Sequence, residues 1–331
     1  MRKKWIRGGI FLCLVLLLLN NLNRILCVKS PHGVDQTRYL YVQPKNKIDV
    51  LFLGSSHVHC NVNTQLLWDE YGMAAYLMTG AEQPLWNSYY NLKEALKTQK
   101  PKLVVLDMFC PSRFYDDFQP GWADENLDGM RISLNKMEAV YTSVQEEQSH
   151  FFLGFTEYHS RYDQLTTEDF QNFVWNRKTQ ERWKGYTPLN RHAELTEPDM
   201  SHVTTSQEMT EKSKEYFEKI VELTKKEGIA LALISGPYLL EERDQEVYNS
   251  IGQLAEKDGL LFWNTNTPAH YREMGLDFST DYADHAHLNE AGGAKYTAYL
   301  GKWLSQNYSF PDRRGQKGYE SWENQLMKSG E

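Results

Sequence analysis

Cysteine and clustered basic charge are the scarcest features of this 331-residue chain. It has four cysteines, and Cys13 and Cys27 fall in the apolar N-terminal region. The other two, Cys60 and Cys110, are too few for a disulfide framework, and the sequence leaves open whether they pair. Lysine and arginine form no block beyond the extreme N-terminus, and the net charge is -8. This charge pattern disfavours a nucleic-acid partner.

The N-terminus carries a long apolar run, which indicates a membrane segment. Arg2, Lys3 and Lys4 come before an uninterrupted apolar stretch from Gly9 to Leu19. No small-x-small cleavage site follows, so we predict that residues 1–29 are an uncleaved signal anchor rather than a removed signal peptide. Basic residues ahead of the run place the N-terminus inside. We therefore expect a single-pass protein of the cell membrane with its main domain extracytoplasmic.

The next informative stretch runs from Ile48 through Gly54, Ser55 and Ser56. A nearly continuous apolar segment of strand length ends abruptly in a glycine and two serines. Such continuity is typical of a parallel strand that is covered on both faces. Ligands of open α/β sheets bind outside the carboxyl ends of these strands, so we expect the two serines to emerge at a ligand crevice.

Four more apolar segments, near residues 74–79, 103–109, 229–234 and 260–263, alternate with helix-compatible sequence. This alternation predicts a three-layer α/β/α sandwich with a mostly parallel, five-stranded sheet. Around that domain, taken as residues 47–310, we predict a linker over 30–46, an insertion at about 111–204 and a polar tail over 311–331. Predicted helices include 134–144 and 167–184 in the insertion, and one that follows a capping box of Thr205 and Glu208.

A serine needs a base within hydrogen-bond reach, itself oriented by a third group, before it can act as a nucleophile. Ser56 follows the first strand, and Asp284 precedes His287 by three residues near the end of the fold. Both positions lie at carboxyl edges of the predicted sheet. One turn lets the Asp284 carboxylate accept a hydrogen bond from one ring nitrogen of His287 while the other nitrogen faces Ser56.

Two sequence blocks carry a family resemblance. Gly54-Ser55-Ser56 and the block Asp284-x-x-His287-Leu288-Asn289 resemble the first and last blocks of SGNH (GDSL-like) hydrolases. Together with the anchor, they look like the extracytoplasmic acyltransferase branch, which includes the Dlt D-alanine transfer protein and the alginate O-acetyltransferases. The resemblance implies Ser56 as nucleophile, His287 as base and Asp284 as orienting acid, with no cofactor or metal. It also implies a cell-envelope glycan or polyol acceptor and a membrane-bound acyl exporter as partner.

The family's oxyanion hole uses the serine N–H, a glycine after the second strand and an asparagine after the third. Ser56 and Gly80 occupy the first two places. The third place departs from the pattern, because Asp107 to Pro111 contains no asparagine. Gln83 and Asn87 are the candidate substitutes, and either is equally compatible with a polar residue at a helix start.

Two further hypotheses compete with a serine esterase or O-acyltransferase acting on acyl groups of envelope polymers. His57-x-His59 on an extended segment, joined by Asp284, His285 and His287, would form a zinc site of a metal-dependent hydrolase. Against it, we count five strands where a barrel of that type needs eight. Cys60 is a weaker candidate nucleophile. A catalytically degenerate glycan-binding module is the other alternative, with a stacking platform made of aromatic residues of the insertion: Tyr158, Tyr162, Trp175, Trp183 and Tyr186.

Overall fold

The computed structural model describes residues 2–27, 30, 32–114, 117–118, 120–154, 158–171 and 184–323. Its centre is one five-stranded sheet in which all neighbouring strands are parallel, with strand order β2-β1-β3-β4-β5. The α/β/α class and the sheet predicted from the sequence are confirmed. The strands are β1 (Val50–Gly54), β2 (Ala75–Thr79), β3 (Leu103–Asp107), β4 (Ala230–Ser235) and β5 (Leu261–Asn264).

Helices flank the sheet and fill the connections between its strands. In chain order they are α1 (Arg2–Leu26), α2 (Val34–Leu40), α3 (Ser56–Asn61), α4 (Thr64–Tyr71), α5 (Leu85–Ala95), α6 (Phe109–Arg113), α7 (Ala123–Leu127), α8 (Leu134–Ser143), α9 (Thr167–Gln171), α10 (Glu211–Glu227), α11 (Glu242–Asp258), α12 (Pro268–Met274), α13 (Glu290–Asn307) and α14 (Glu320–Glu323).

The sheet is buried on both faces because side chains alternate along each strand. In β1, Leu51 and Leu53 pack into a core with α5, α10 and α11. Val50 and Phe52 point the other way, into a second core with α4, α12 and α13. All four side chains are fully buried. This two-sided burial explains why the strands are continuously apolar in the sequence.

The predicted capping box is wrong. Helix α10 begins at Glu211, and its cap is Thr210, whose side chain accepts a hydrogen bond from the Ser213 N–H at 3.2 Å. Thr205 instead donates its hydroxyl to Glu246 on α11 at 2.6 Å. The capping-box pattern therefore marks a threonine that binds α11, whereas the helix is capped by a threonine whose third following residue is a serine.

In the region predicted as an insertion, the described residues contain helices and no strand. Helix α8 matches the prediction to within a residue and packs against α5. Of the helix predicted over 167–184, Thr167–Gln171 is helical, and residues 172–183 lie outside the described part of the chain.

At the N-terminus, one helix is long and apolar enough to cross a membrane, over Lys3–Asn23. The segment predicted as a linker over 30–46 contains α2, which packs on the edge strand β2. Leu40 is fully buried there, and the Tyr76 hydroxyl donates to the Gln36 carbonyl at 2.6 Å. This segment is therefore an integral part of the packed domain.

The described part of the polar tail, up to residue 323, also packs against the domain. The Arg313 guanidinium binds both carboxylate oxygens of Asp49 at 2.7 and 2.9 Å, just before β1. Trp322 is fully buried, stacks on Trp68 and donates its indole N–H to the Ala75 carbonyl.

Candidate active site

The turn after β1 presents Ser56 at the carboxyl edge of the sheet. Gly54 has φ of +144°, and a Cβ placed there would lie 2.4 Å from the Cβ of Asp107. Only glycine fits this close approach. Ser55 caps α3 by accepting the His57 N–H at 3.2 Å, so Ser56 is the first residue of the helix, with its side chain partly exposed.

Asp107, at the end of β3, holds this turn in place. Its Oδ2 accepts the Ser55 hydroxyl at 2.8 Å and the Ser55 N–H at 3.3 Å, and its Oδ1 accepts the Phe109 N–H at 3.3 Å. Burial raises the pKa of Asp107 to about 6, against these hydrogen bonds, which favour the charged form. The sequence pattern flagged Asp107 only as a departure from the family block, whereas the structure gives it a positioning role.

Ser56, His287 and Asp284 come together as the sequence predicted. The His287 Nε2 lies 2.8 Å from the Ser56 Oγ, and its Nδ1 lies 2.8 Å from the Asp284 Oδ1. The Leu288 N–H donates to the side chain of Asn61, at the end of α3, at 3.0 Å. This hydrogen bond joins α3, which carries Ser56, to the segment that carries His287. It therefore fixes the positions of the two side chains relative to each other.

The charge of Asp284 is strongly stabilised. Burial alone would raise the pKa of this carboxyl, but the hydrogen bond and charge of His287 outweigh it, with help from the Ala286 N–H. Arg191 adds an ion pair to the other carboxylate oxygen at 2.9 Å. Together they hold the pKa of Asp284 well below its usual range, so it stays an acceptor for His287. Arg191 was missed by the sequence reasoning because nothing in its local sequence indicates a contact 93 residues away.

The N–H groups of Ser56 and Gly80, predicted as oxyanion donors, differ in their hydrogen bonds. In the first turn of α3, Ser55 accepts the His57 N–H on its side chain and the Val58 N–H on its carbonyl, while the Ser56 N–H has no intrahelical acceptor. The Gly80 N–H donates to the Gly54 carbonyl at 3.1 Å. The Gly80 N–H must break this hydrogen bond before it can donate to an oxyanion.

Neither amide offered as a third donor lines the cleft beside Ser56. The Gln83 side chain is buried, donates to Ser88 at 3.0 Å and accepts from Asn91. The Asn87 oxygen accepts the hydroxyl of Ser143 on α8. Both amides therefore belong to a polar network between α5 and its neighbours.

A cleft of about 160 Å³ opens beside Ser56. Its size is below the about 300–1,000 Å³ of pockets that take drug-sized ligands. Arg113 at its wall is ion-paired with Glu241 at 2.8 Å and Asp244 at 3.0 Å. Besides Ser56 and His287, the cleft is lined by both aromatic and charged side chains: Phe109, Phe114, Tyr238, Glu82 and Arg113, together with His285 and Ala286.

The expectation of an extended His57-x-His59 segment is wrong, because both residues lie on α3. Residues two apart on a helix do not face one another. The His57 ring stacks on Phe109 with 3.5 Å between centroids, and burial lowers its pKa well below the usual value. His59 faces the opposite way, with its ring nitrogens 3.1 Å from the Thr79 hydroxyl and 3.0 Å from His32.

One set of side chains does bring metal-ligand atoms together, and it differs from the predicted one. A nitrogen each of His32 and His59 and the sulfur of Cys60 lie within 4.8 Å of one another. Both nitrogens are engaged in the His32–His59 hydrogen bond, and burial raises the pKa of the Cys60 thiol to about 12. A protonated, buried thiol is a poor nucleophile. Cys60 and Cys110 are both buried and unpaired.

The proposed aromatic platform does not form from its described members. Tyr186 is buried, and Tyr158 donates its hydroxyl to Asp128 at 2.7 Å, whereas Tyr162 is exposed. Trp175 and Trp183 lie outside the described residues.

Comparison with known proteins gives distant structural matches. No protein-family model matches the chain, and no curated protein matches it. A solved structure from Bacteroides fragilis, described as an acylhydrolase, is 12% identical with a TM-score of 0.39, covering 81% of this chain and 92% of its own. A catalytic mutant of an acetylxylan esterase from Geobacillus stearothermophilus is 12% identical with a TM-score of 0.39, covering 83% and 100%. Because identity and TM-score are both low, the function proposed below rests on this chain's own residues.

Proposed function

We propose that this protein is a serine esterase or O-acyltransferase of the SGNH type that works through an acyl-enzyme. The observation that carries the proposal is the continuous hydrogen-bonded chain from Ser56 through His287 to Asp284, with 2.8 Å at each step. Serine activation needs this order of nucleophile, base and orienting acid. The partly exposed Ser56 at the carboxyl edge of the sheet also leaves room for a substrate.

In the proposed reaction, the Ser56 Oγ attacks an ester carbonyl carbon while the His287 Nε2 takes the hydroxyl proton. The carbonyl π electrons move onto oxygen and return as the bond to the leaving alkoxide breaks. His287 gives the proton to that alkoxide. A second cycle, with water or a sugar hydroxyl as nucleophile, releases the acyl group and restores Ser56. Asp284 keeps the Nδ1 proton of His287 in place throughout.

The Ser56 N–H is the first oxyanion donor of this proposal, and the Gly80 N–H is the second once it exchanges the Gly54 carbonyl for the oxyanion. A backbone hydrogen bond contributes a net ~1 kcal/mol. An oxyanion-hole donor is worth about 2.7–4 kcal/mol in the transition state. The exchange is therefore favourable during reaction and unfavourable in the resting enzyme.

The small aromatic cleft supports a short acyl group such as acetyl as the transferred unit. We propose a cell-envelope glycan or polyol as its acceptor or donor, because α1 would hold the domain beside the membrane on the extracytoplasmic side. If the reaction is transfer rather than hydrolysis, a membrane-bound acyl exporter would supply the acyl group. Water and a sugar hydroxyl use the same residues, so the acceptor must be found by assay.

The test is the intact mass of the full chain after exposure to a fluorophosphonate that reacts with activated serines. We expect one adduct per chain, lost in Ser56→Ala and in His287→Ala. Matched controls are Ser305→Ala, at an exposed serine, and His270→Ala, whose ring contacts Tyr299 and Trp263 on the far edge of the sheet. Both controls should label like wild type. An unlabelled wild type, or labelling that survives Ser56→Ala, would refute the serine mechanism.

A further inference from the structure

A second and larger cavity, of about 390 Å³, lies where the N-terminal helix meets the domain. Helix α1 contributes Asn20 and Asn23 to its lining, and Cys27 follows directly after the helix, near the end of the segment that is apolar enough to cross a membrane. The remaining wall comes from α2 and Tyr41 just after it, from residues 128–132 between α7 and α8, from Lys136 on α8, and from Phe151, Phe152 and Gly154. None of these residues belongs to the cleft at Ser56.

The buried ammonium group of Lys136 lines this cavity. The side chain is only 4% exposed. Its ammonium forms no hydrogen bond or ion pair with any residue that the structure describes, and burial lowers its pKa despite the nearby charge of Asp128. A buried, unpaired ammonium is costly. An anion bound in the cavity would remove that cost.

The charged side chains that line the cavity carry a net positive charge. Arg38 likewise has no ion-pair partner among the described residues, and Arg131 lies over the Tyr41 ring at 4.1 Å. Two carboxylates, Asp35 and Asp128, also line the cavity, and Asp128 accepts the Tyr158 hydroxyl at 2.7 Å. Among the lining side chains, three cations less two carboxylates leave one net positive charge, which a single phosphodiester would neutralise. The charge of Asp124 also acts on Lys136, but this carboxylate lies outside the lining and contacts His150 at 2.9 Å.

The surroundings of the cavity fit a lipid surface. Ile132, which lines it, is 71% exposed, and the nearby Leu134 and Leu153 are 76% and 51% exposed. Large apolar side chains exposed together mark interaction surfaces. With α1 embedded in a bilayer, the residues at the end of its apolar span lie at the depth of the headgroups.

We propose that this cavity binds the phosphate of a phospholipid headgroup from the bilayer in which α1 is anchored. Lys136 and Arg38 bind the phosphate, and Ile132 and Leu134 contact the acyl region. The proposal rests on the proposed membrane anchorage and is independent of the chemistry at Ser56. Its effect would be to fix the domain, and with it the active-site cleft, against the membrane surface.

The test is phospholipid retention by the full chain, purified in detergent with added phosphatidylglycerol and examined by native mass spectrometry. We expect one retained lipid in wild type and at least tenfold weaker retention in Lys136→Met. Lys302→Met, at an exposed lysine of α13, is the matched control and should retain lipid like wild type. Equal retention in wild type and Lys136→Met would overturn the proposal.

Two further arms separate the sources of failure. Inorganic phosphate and glycerol phosphate, added at millimolar concentration, should not displace the lipid, and displacement by either would assign the cavity to a free phosphate instead.

If Lys136→Met does not fold, Arg38→Gln replaces it, with the same expected loss and the same refuting result. Fluorophosphonate labelling and vesicle flotation should stay unchanged in these variants, so a failed active site or a failed anchor would be seen separately.

Discussion

The carboxyl of Asp107 should make the stability of this protein depend on pH in an unusual direction. Its folded-state pKa of about 6 lies above the ordinary 3.8 because it is buried, so the folded protein holds this proton more tightly than the unfolded chain does. For such a group, stability is greatest at low pH and falls as pH rises through the window from about 4 to about 6. Across the whole window the loss is about 3 kcal/mol, at about 1.4 kcal/mol per unit.

Asp107→Asn removes this proton-linked contribution and isolates it. The substitution also disturbs the hydrogen bonds to Ser55 and Phe109, but that cost does not vary with pH. We therefore expect the free energy of unfolding of Asp107→Asn, relative to wild type, to rise by about 2 kcal/mol between about pH 4.5 and pH 7. Contributions from other carboxyls such as Asp284 are present in both proteins and cancel.

The measurement is urea denaturation of the full chain in one detergent, followed by tryptophan fluorescence at a series of pH values. Asp163→Asn, at an exposed carboxylate, is the control, and its difference from wild type should be flat across the series. A flat difference for Asp107→Asn would mean that the folded carboxyl titrates like an exposed one. It would then refute the inference that burial raises the pKa of Asp107.

Three other substitutions test single contacts. Gly54→Ala should destabilise the protein by about 2–4 kcal/mol in urea denaturation, because the new Cβ meets Asp107 at a positive φ, and a cost below ~1 kcal/mol would contradict the observed turn. Phe109→Ala should widen the cleft and shift the ratio of kcat/KM for butyrate over acetate aryl esters upward about tenfold, whereas an unchanged ratio would remove Phe109 from the acyl-binding wall. Arg313→Gln leaves the buried Asp49 carboxylate with one uncharged partner, so we expect about 2–3 kcal/mol of destabilisation. Proteolysis of the tail should also become faster, and an unchanged cleavage rate would contradict this prediction.

The sheet could be predicted because strands covered on both faces must be continuously apolar, and β1, β3 and β4 all are. The pairing of Ser56 with His287 could be predicted from the position of Ser56 at the carboxyl end of β1 and from the resemblance of the two sequence blocks to one family. Strand topology alone was not enough, because His287 lies between α12 and α13, away from any strand end.

The features that sequence reasoning missed all depend on distant partners. Helix α3 is six residues long and mostly polar, and it is stable where it is because Asn61 and His59 find partners on other elements. Arg191 and Arg313 reach carboxylates that are 93 and 264 residues away in the chain. A charged residue in a polar stretch carries no sign of which carboxylate it will meet, so the packing of the linker, insertion and tail was outside the reach of pattern reasoning.

The proposed oxyanion hole requires the Gly80 N–H to change its acceptor, and this leads to a last prediction. At rest the Gly80 N–H donates to the Gly54 carbonyl at 3.1 Å, and the residues from Asp107 to Pro111 include no asparagine that could serve as a third donor. Formation of a phosphonyl adduct on Ser56 should therefore shift the amide proton resonances of both Ser56 and Gly80 in protein labelled at serine and glycine nitrogens. The Ser56 proton should move downfield on meeting a charged acceptor, and the Gly80 proton should move because its acceptor changes. A Gly80 signal that stays in place while Ser56 shifts would show a one-donor hole. Hydrolysis of simple aryl esters should then be slower by the about 10²–10³ that one donor contributes.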